Sequence, residues 1–134
     1  MKTAPSTVTA HLRAAFNEAD LLPLTPLLDP CVSWTGPDHD TRDAVGRTAV
    51  LARFGALHQR GLRIAVEETF TYPDAVVLGL AVSSKPGADI PPTVYAVFHL
   101  VNGLIARIRG HSDRYQALDS AYTATTVRRP ADGP

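Results

Sequence analysis

Cysteine is nearly absent from this chain: Cys31 stands alone, which excludes an internal disulfide and any zinc site built from several cysteines. Net charge is absent too. Thirteen lysines and arginines balance thirteen aspartates and glutamates, leaving no overall field to draw the protein to nucleic acid or to an anionic membrane. No uninterrupted apolar run reaches the roughly 18 residues needed to span a bilayer, and the opening Met1-Lys2-Thr3-Ala4-Pro5 lacks the apolar stretch of an export signal. These absences predict a soluble, unexported protein, with the reducing cytoplasm as its simplest location and with neither nucleic acid nor membrane as partner.

What remains is enough for a core. Hydrophobic residues make up 45% of the chain against 19% charged, a balance that favours a packed globule over disorder. The length of 134 residues suits one domain, expected over residues 6–122. Residues 123–134, through Arg128-Arg129-Pro130, carry no apolar period and are expected as a flexible tail; Met1 to Pro5 reads the same way.

The apolar positions Val8, Leu12, Ala15, Phe16 and Ala19 recur at three and four residues, predicting an amphipathic helix with Ser6 or Thr7 as N-cap. Pro23 and Pro26 interrupt the leucine cluster 21–28 and allow only short helical turns. After Pro30, Cys31-Val32-Ser33-Trp34-Thr35 is β-prone and ends at Gly36-Pro37 before a polar loop from Asp38 to Asp43. Val50, Phe54 and Leu57 form one stripe of a helix from Arg47 to Arg60, off which Arg47, Arg53 and Arg60 fall, with Gly61 placed as the C′ residue. Alternation from Leu62 to Tyr72 predicts a half-buried strand whose apolar face is broken by Glu68. The run 75–82 is apolar on both parities, as in a strand covered on both faces. A loop over 85–92 precedes two strands, Thr93–Val101 and Leu104–His111, around the hairpin signal Asn102-Gly103. Strands grouped after helices indicate an α+β fold with an antiparallel sheet.

Several strings, taken in order, resemble the NTF2-like superfamily and within it the SnoaL-like polyketide cyclase group. They are Ala15-Phe16-Asn17-Glu18-Ala19-Asp20, Val32-Ser33-Trp34-Thr35-Gly36, Gly46-Arg47-Thr48-Ala49-Val50, and the hairpin from Asn102 through Arg109 running to Asp113. The resemblance implies a curved antiparallel sheet wrapped around N-terminal helices, a cone with an apolar cavity for a small hydrophobic ligand, and a homodimer formed through the outer sheet face. Members of such a group cyclise, isomerise or hydrolyse small molecules without metal or organic cofactor, or only bind them. Four functions are therefore open: a cofactor-independent acid–base enzyme acting on a polyketide-like molecule, a non-catalytic binding protein, an epoxide hydrolase-like enzyme, and a protein-interaction module.

The resemblance also implies site residues. His99 and Asp113 match the histidine on the penultimate strand and the aspartate after the last strand of the cyclases. An imidazole or carboxylate in an apolar cavity titrates nearer neutrality and can move a proton at carbon beside a carbonyl. Alternatively, His99 is an ordinary strand residue and Asp113 caps the turn before Tyr115–Leu118. Register separates the two cases. A two-residue turn at Asn102-Gly103 sets His99 opposite Ala106, whereas a bulged loop puts His99 on one face with Arg107, Arg109, His111 and Asp113. Glu68, Trp34, Tyr95, Phe16, Phe54, Arg109 and His111 complete the candidate ligand-binding set. Asp38-His39-Asp40 has the residue types but not the spacing of a metal site, so no metal is expected. Gly36 before Pro37 stands where ketosteroid isomerases carry their base, which argues against that mechanism. His11 and His58 read as solvated helix residues.

Overall fold

Pro5, not Ser6 or Thr7, opens the first helix, α1 (Pro5–Glu18). Its missing N–H would be unpaired there in any case, and the Ala4 carbonyl accepts from Val8 N at 3.0 Å. The structure, a computed structural model, describes residues 4–18, 20, 22–35, 43–59, 63–83 and 93–122. All but Asp43 of the polar loop expected at 38–43, the loop expected at 85–92, the C′ role of Gly61 and the tail 123–134 lie outside the described residues.

A proline-interrupted 3-10 turn (Leu22–Leu27) leads into β1 (Leu28–Thr35), which begins before Pro30 rather than after it. A two-residue strand, β2 (Ala44–Val45), then precedes α2 (Arg47–Gln59). The chain continues through β3 (Arg63–Tyr72), β4 (Ala75–Ser83), β5 (Thr93–Val101) and β6 (Leu104–His111). Residues 114–122 form a last helix, α3, where the sequence suggested only a turn. Among the described residues no helix is long and apolar enough to cross a membrane.

The six strands form one curved sheet in the order β2-β1-β6-β5-β4-β3. Every neighbouring pair is antiparallel except β1 and β6, which run parallel. This α+β arrangement is the one expected. α1 and α2 pack on one face, the inner face, where Val8, Leu12 and Phe16 meet Val50, Phe54, Leu78, Phe98 and Ile108 in the main core. On the outer face Ala117 and Ala121 of α3 cover Ala75, Val77 and Val97. β4 is buried on both sides, as its unbroken apolar run requires.

Two bulges decide which residues share a face. In β3 the register slips between Val66, opposite Leu80, and Glu68, opposite Gly79. Glu67 is the extra residue, so Ile64 and Val66 point inward while Phe70 and Tyr72 point outward with Glu68. The single apolar face expected for this strand is thus split in two, and Glu68 is no interruption of it. In β6 the pair Leu100–Ile105 is followed by His99–Arg107, and Ala106 is the extra residue. Such insertions bend and twist a sheet locally, consistent with its curvature.

Candidate functional site

α2 is tied to β1 by two arginines that flank its apolar stripe. Gly46, at φ 95, turns the chain so that its N–H donates to Val32 O at 2.7 Å. Arg47 Nε then donates to Leu28 O at 2.8 Å, and Arg53 Nη1 donates to Trp34 O at 3.0 Å. The consequence is a fixed aromatic cluster on the inner face. Trp34 stacks on Phe54 with ring centroids 4.2 Å apart, and Phe54 meets Phe16 edge-on at 5.3 Å. Phe16 in turn meets Phe98 at 6.3 Å.

The guanidinium of Arg53 lies 5.2 Å from the Trp34 ring centroid, a cation–π contact. Trp34 is only half-buried, as are Leu51, Ile64 and Val66 around the core. These residues form an apolar, aromatic surface with one cation beside it. Phe16, Trp34 and Phe54 were expected in a ligand site and are brought together; Arg53 and Phe98 were not singled out. The signal for Arg53 was its position flanking the stripe of α2, six residues after Arg47.

The remaining candidates lie on the other face. Tyr95 pairs with His111, Val97 with Arg109, and His99 with Arg107, and Val97 belongs to the outer cluster beneath α3. Alternation therefore places Tyr95, His99, Arg107, Arg109 and His111 on the outer face. On the neighbouring strand Ser33 pairs with Arg107 and Thr35 with Arg109. Gly79 makes room for Tyr95, because a Cβ there would stand 3.2 Å from its Cε1.

His99 is held neutral. Burial first, then the charges of Arg107, Arg109 and His111, lower its pKa from 6.5 to about 4. His111 is lowered as well, by burial and then by Arg109, with Asp113 opposing. Its Nε2 is enclosed and has no hydrogen-bond partner among the described residues.

His99 and Asp113 do not form a dyad. Asp113 is exposed at the start of α3, where its Oδ1 accepts from Tyr115 N at 3.1 Å and its carbonyl accepts from Ala117 N. It is the N-cap of that helix. Six residues, roughly 20 Å of extended chain, separate it from the Arg107 that faces His99. Glu68 is paired with Arg114 of α3 at 3.3 Å, and Arg114 also covers the Phe70 ring at 5.0 Å. Asp38-His39-Asp40 and Gly36-Pro37 lie outside the described residues, while His11 is exposed on α1 as expected.

The sequence matches the profile of the SnoaL-like domain over residues 8–108. No curated protein matches it significantly. Among solved structures, Bal32a from a soil-derived mobile gene cassette is 26% identical, with a TM-score of 0.67 over 87% of this chain and 94% of that one. A candidate polyketide cyclase from Sinorhizobium meliloti is 19% identical, with a TM-score of 0.62 over 78% of this chain and 93% of that one. An NTF2-like protein from Mesorhizobium loti is 18% identical, with a TM-score of 0.65 over 80% and 88%. The last two likenesses concern the fold.

Proposed function

Because the chain belongs to the SnoaL-like domain family, we propose that it binds a small, flat, hydrophobic molecule of polyketide-like or aromatic character against Trp34 and Phe54 on the inner face. The observation that carries this reading is the division of labour between the two sheet faces. The inner face offers stacked rings at 4.2 Å with Arg53 alongside, a surface that suits a planar ring system bearing a carbonyl, phenolate or carboxylate. His99 and His111 point to the opposite face, and Asp113 caps a helix.

Acid–base catalysis needs a proton-transfer group within hydrogen-bond reach of the bound molecule. The polar groups of the described inner face include the Thr9 and Thr71 hydroxyls, bonded to each other at 2.8 Å, Thr69 opposite Leu78, the Asn17 amide that accepts from Val66 N, the Trp34 indole and the two arginines of α2. Hydroxyls, an amide, an indole N–H and guanidiniums that stay charged are poor bases. The geometry therefore favours binding over cyclisation, isomerisation or epoxide opening.

Trp34 is the protein's one tryptophan, so its emission reports on the site directly. A panel of planar hydroxylated polycyclic ketones is expected to quench it saturably, with calorimetry showing affinity reduced at least about tenfold in Phe54→Leu and Arg53→Met. Asp113→Asn is expected to bind as the parent does, and no proton exchange or ring closure should appear by NMR. Absence of saturable quenching across the panel would sink the binding reading, and turnover lost in Asp113→Asn would restore the enzyme.

A further inference from the structure

Among the described residues, Arg107 and Arg109 carry two positive charges that no carboxylate neutralises. They are two apart on β6, so both project to the outer face about 6–7 Å from one another. Arg107 is exposed and Arg109 half-buried. Among the described residues neither has a carboxylate in ion-pair reach; the ion pair on this face joins Arg114 to Glu68 instead.

Their neighbours are hydrogen-bonding groups and not acids. His99 and Ser33 flank Arg107 on the adjoining strands. Thr35 flanks Arg109, and His111 follows it on β6. Neighbouring strands lie about 4.8 Å apart, so one small ligand spans this row. α3 covers Ala75, Val77 and Val97, leaving the β6–β1 side of the outer face as the charged part.

We propose that Arg107 and Arg109, with His99 and the hydroxyls of Ser33 and Thr35, bind the oxyanion group of a small molecule, a carboxylate or a phosphate, on the outer face of the sheet. This site is separate from the inner aromatic cluster and does not depend on what binds there. Guanidinium forks match planar or tetrahedral oxyanions through paired N–H donors, and flanking hydroxyls donate to the remaining oxygens. A second copy of the chain, pairing two-fold through this face with residue i set against residue j, is the rival occupant, and it would gather the unpaired guanidiniums of both copies in one seam.

A bound anion has a signature no structural role would give. Arg107, Arg109 and His111 are charges that lower the pKa of His99; Ala75, facing it from β4, is uncharged, and Asp74 stands in the adjacent turn. Cancelling the arginine charges removes part of what depresses the imidazole, so its titration midpoint rises on binding.

The test uses the full chain with inorganic phosphate and, separately, succinate. Calorimetry is expected to show saturable binding of at least one, which assigns the group as phosphate or carboxylate. Arg107→Gln/Arg109→Gln is expected to weaken it at least about tenfold while melting as the parent does. In the parent, the His99 midpoint by NMR is expected to move up by on the order of one unit when the anion is added, a readout that needs no variant to fold. No saturable binding of either anion up to about 10 mM, which is weaker than roughly 3 kcal/mol of association, overturns the site. So does an unmoved His99 midpoint, or a double variant that changes oligomeric state but not anion affinity.

Discussion

His99 lies across from Arg107 although Val101, two residues further along β5, lies across from Leu104. A regular ladder starting from that turn would bring Ala106 opposite His99. The extra residue is Ala106 itself, and it turns Arg107 outward while leaving both Ile105 and Ile108 in the core. Deleting Ala106 is therefore expected to leave a regular ladder, with Ile105 and Ile108 still inward and Arg107 and Arg109 still outward, and to remove only the local bend that a bulge gives. The deletion should keep a cooperative thermal transition, as should Ala106→Gly, which keeps the residue count. A deletion variant that no longer melts cooperatively would show that the fold needs the bend and not only the pairing.

The same pairing controls how stability responds to acid. His99 titrates at about 4 in the folded protein against an ordinary 6.5, so between these pH values the unfolded chain holds more protons. Stability then rises with pH: the contribution is complete above about 6.5 and is lost as pH falls toward 4. His111, also lowered, acts in the same sense. Between pH 7 and pH 4.5 the melting temperature of the parent is expected to fall further than that of His99→Gln, which removes one of these two groups and leaves the background of carboxylates unchanged. Equal falls would contradict the depressed imidazole.

Both helices of the inner layer and five of the six strands are legible, all but the two-residue β2, because apolar spacing and the Asn102-Gly103 turn speak locally. That turn is a two-residue one, with φ 53 and φ 80 at its centre and Val101 opposite Leu104, as one of the two expected registers had it. The face of His99 nevertheless follows the other register, because the bulge falls two residues later at Ala106, where an alanine between Ile105 and Arg107 gives no signal. Glu68 misled for a related reason. The slip at Glu67 is invisible to a count of alternate residues, since Phe70 and Tyr72 are apolar on whichever face they land. α3 escaped notice because its buried side chains, Ala117 and Ala121, are the smallest apolar ones. In the site, the aromatic cluster could be suspected from composition, but the separation of aromatics from histidines depends on the two bulges.

Asp113 serves α3. Its Oδ1 takes the Tyr115 N–H, so Asp113→Ala is expected to cost about 1 kcal/mol and Asp113→Ser to recover most of it. The Glu68–Arg114 pair at the same helix start contributes less, since the two side chains are 39% and 40% exposed, and Glu68→Gln should cost under about 1 kcal/mol. Chemical denaturation would rank the three variants. Hydrogen exchange at Val77 and Val97, which α3 covers, should quicken in Asp113→Ala only. A larger loss in Glu68→Gln than in Asp113→Ala would mean that the ion pair, not the cap, holds the helix in place.

Gly79 is small because two side chains converge on it from either side. A Cβ there would sit 3.2 Å from Tyr95 Cε1 and 3.3 Å from Glu68 Cβ. The tyrosine ring is half-buried and can swing aside by a few tenths of an ångström, but Glu68 Cβ is fixed to the backbone of β3. Alanine also restrains the unfolded chain, a gain of roughly 0.5–1 kcal/mol over glycine in a strand. These effects oppose each other, and Gly79→Ala is expected to fall within about 0.5 kcal/mol of the parent. Valine adds two methyl groups with no free direction between Tyr95 and Glu68, so Gly79→Val is expected to cost about 1–3 kcal/mol by overpacking. Pairing it with Tyr95→Ala should recover part of that loss, because the removed ring vacates the nearer contact. A double variant no more stable than the sum of the single ones predicts would place the strain elsewhere in β4.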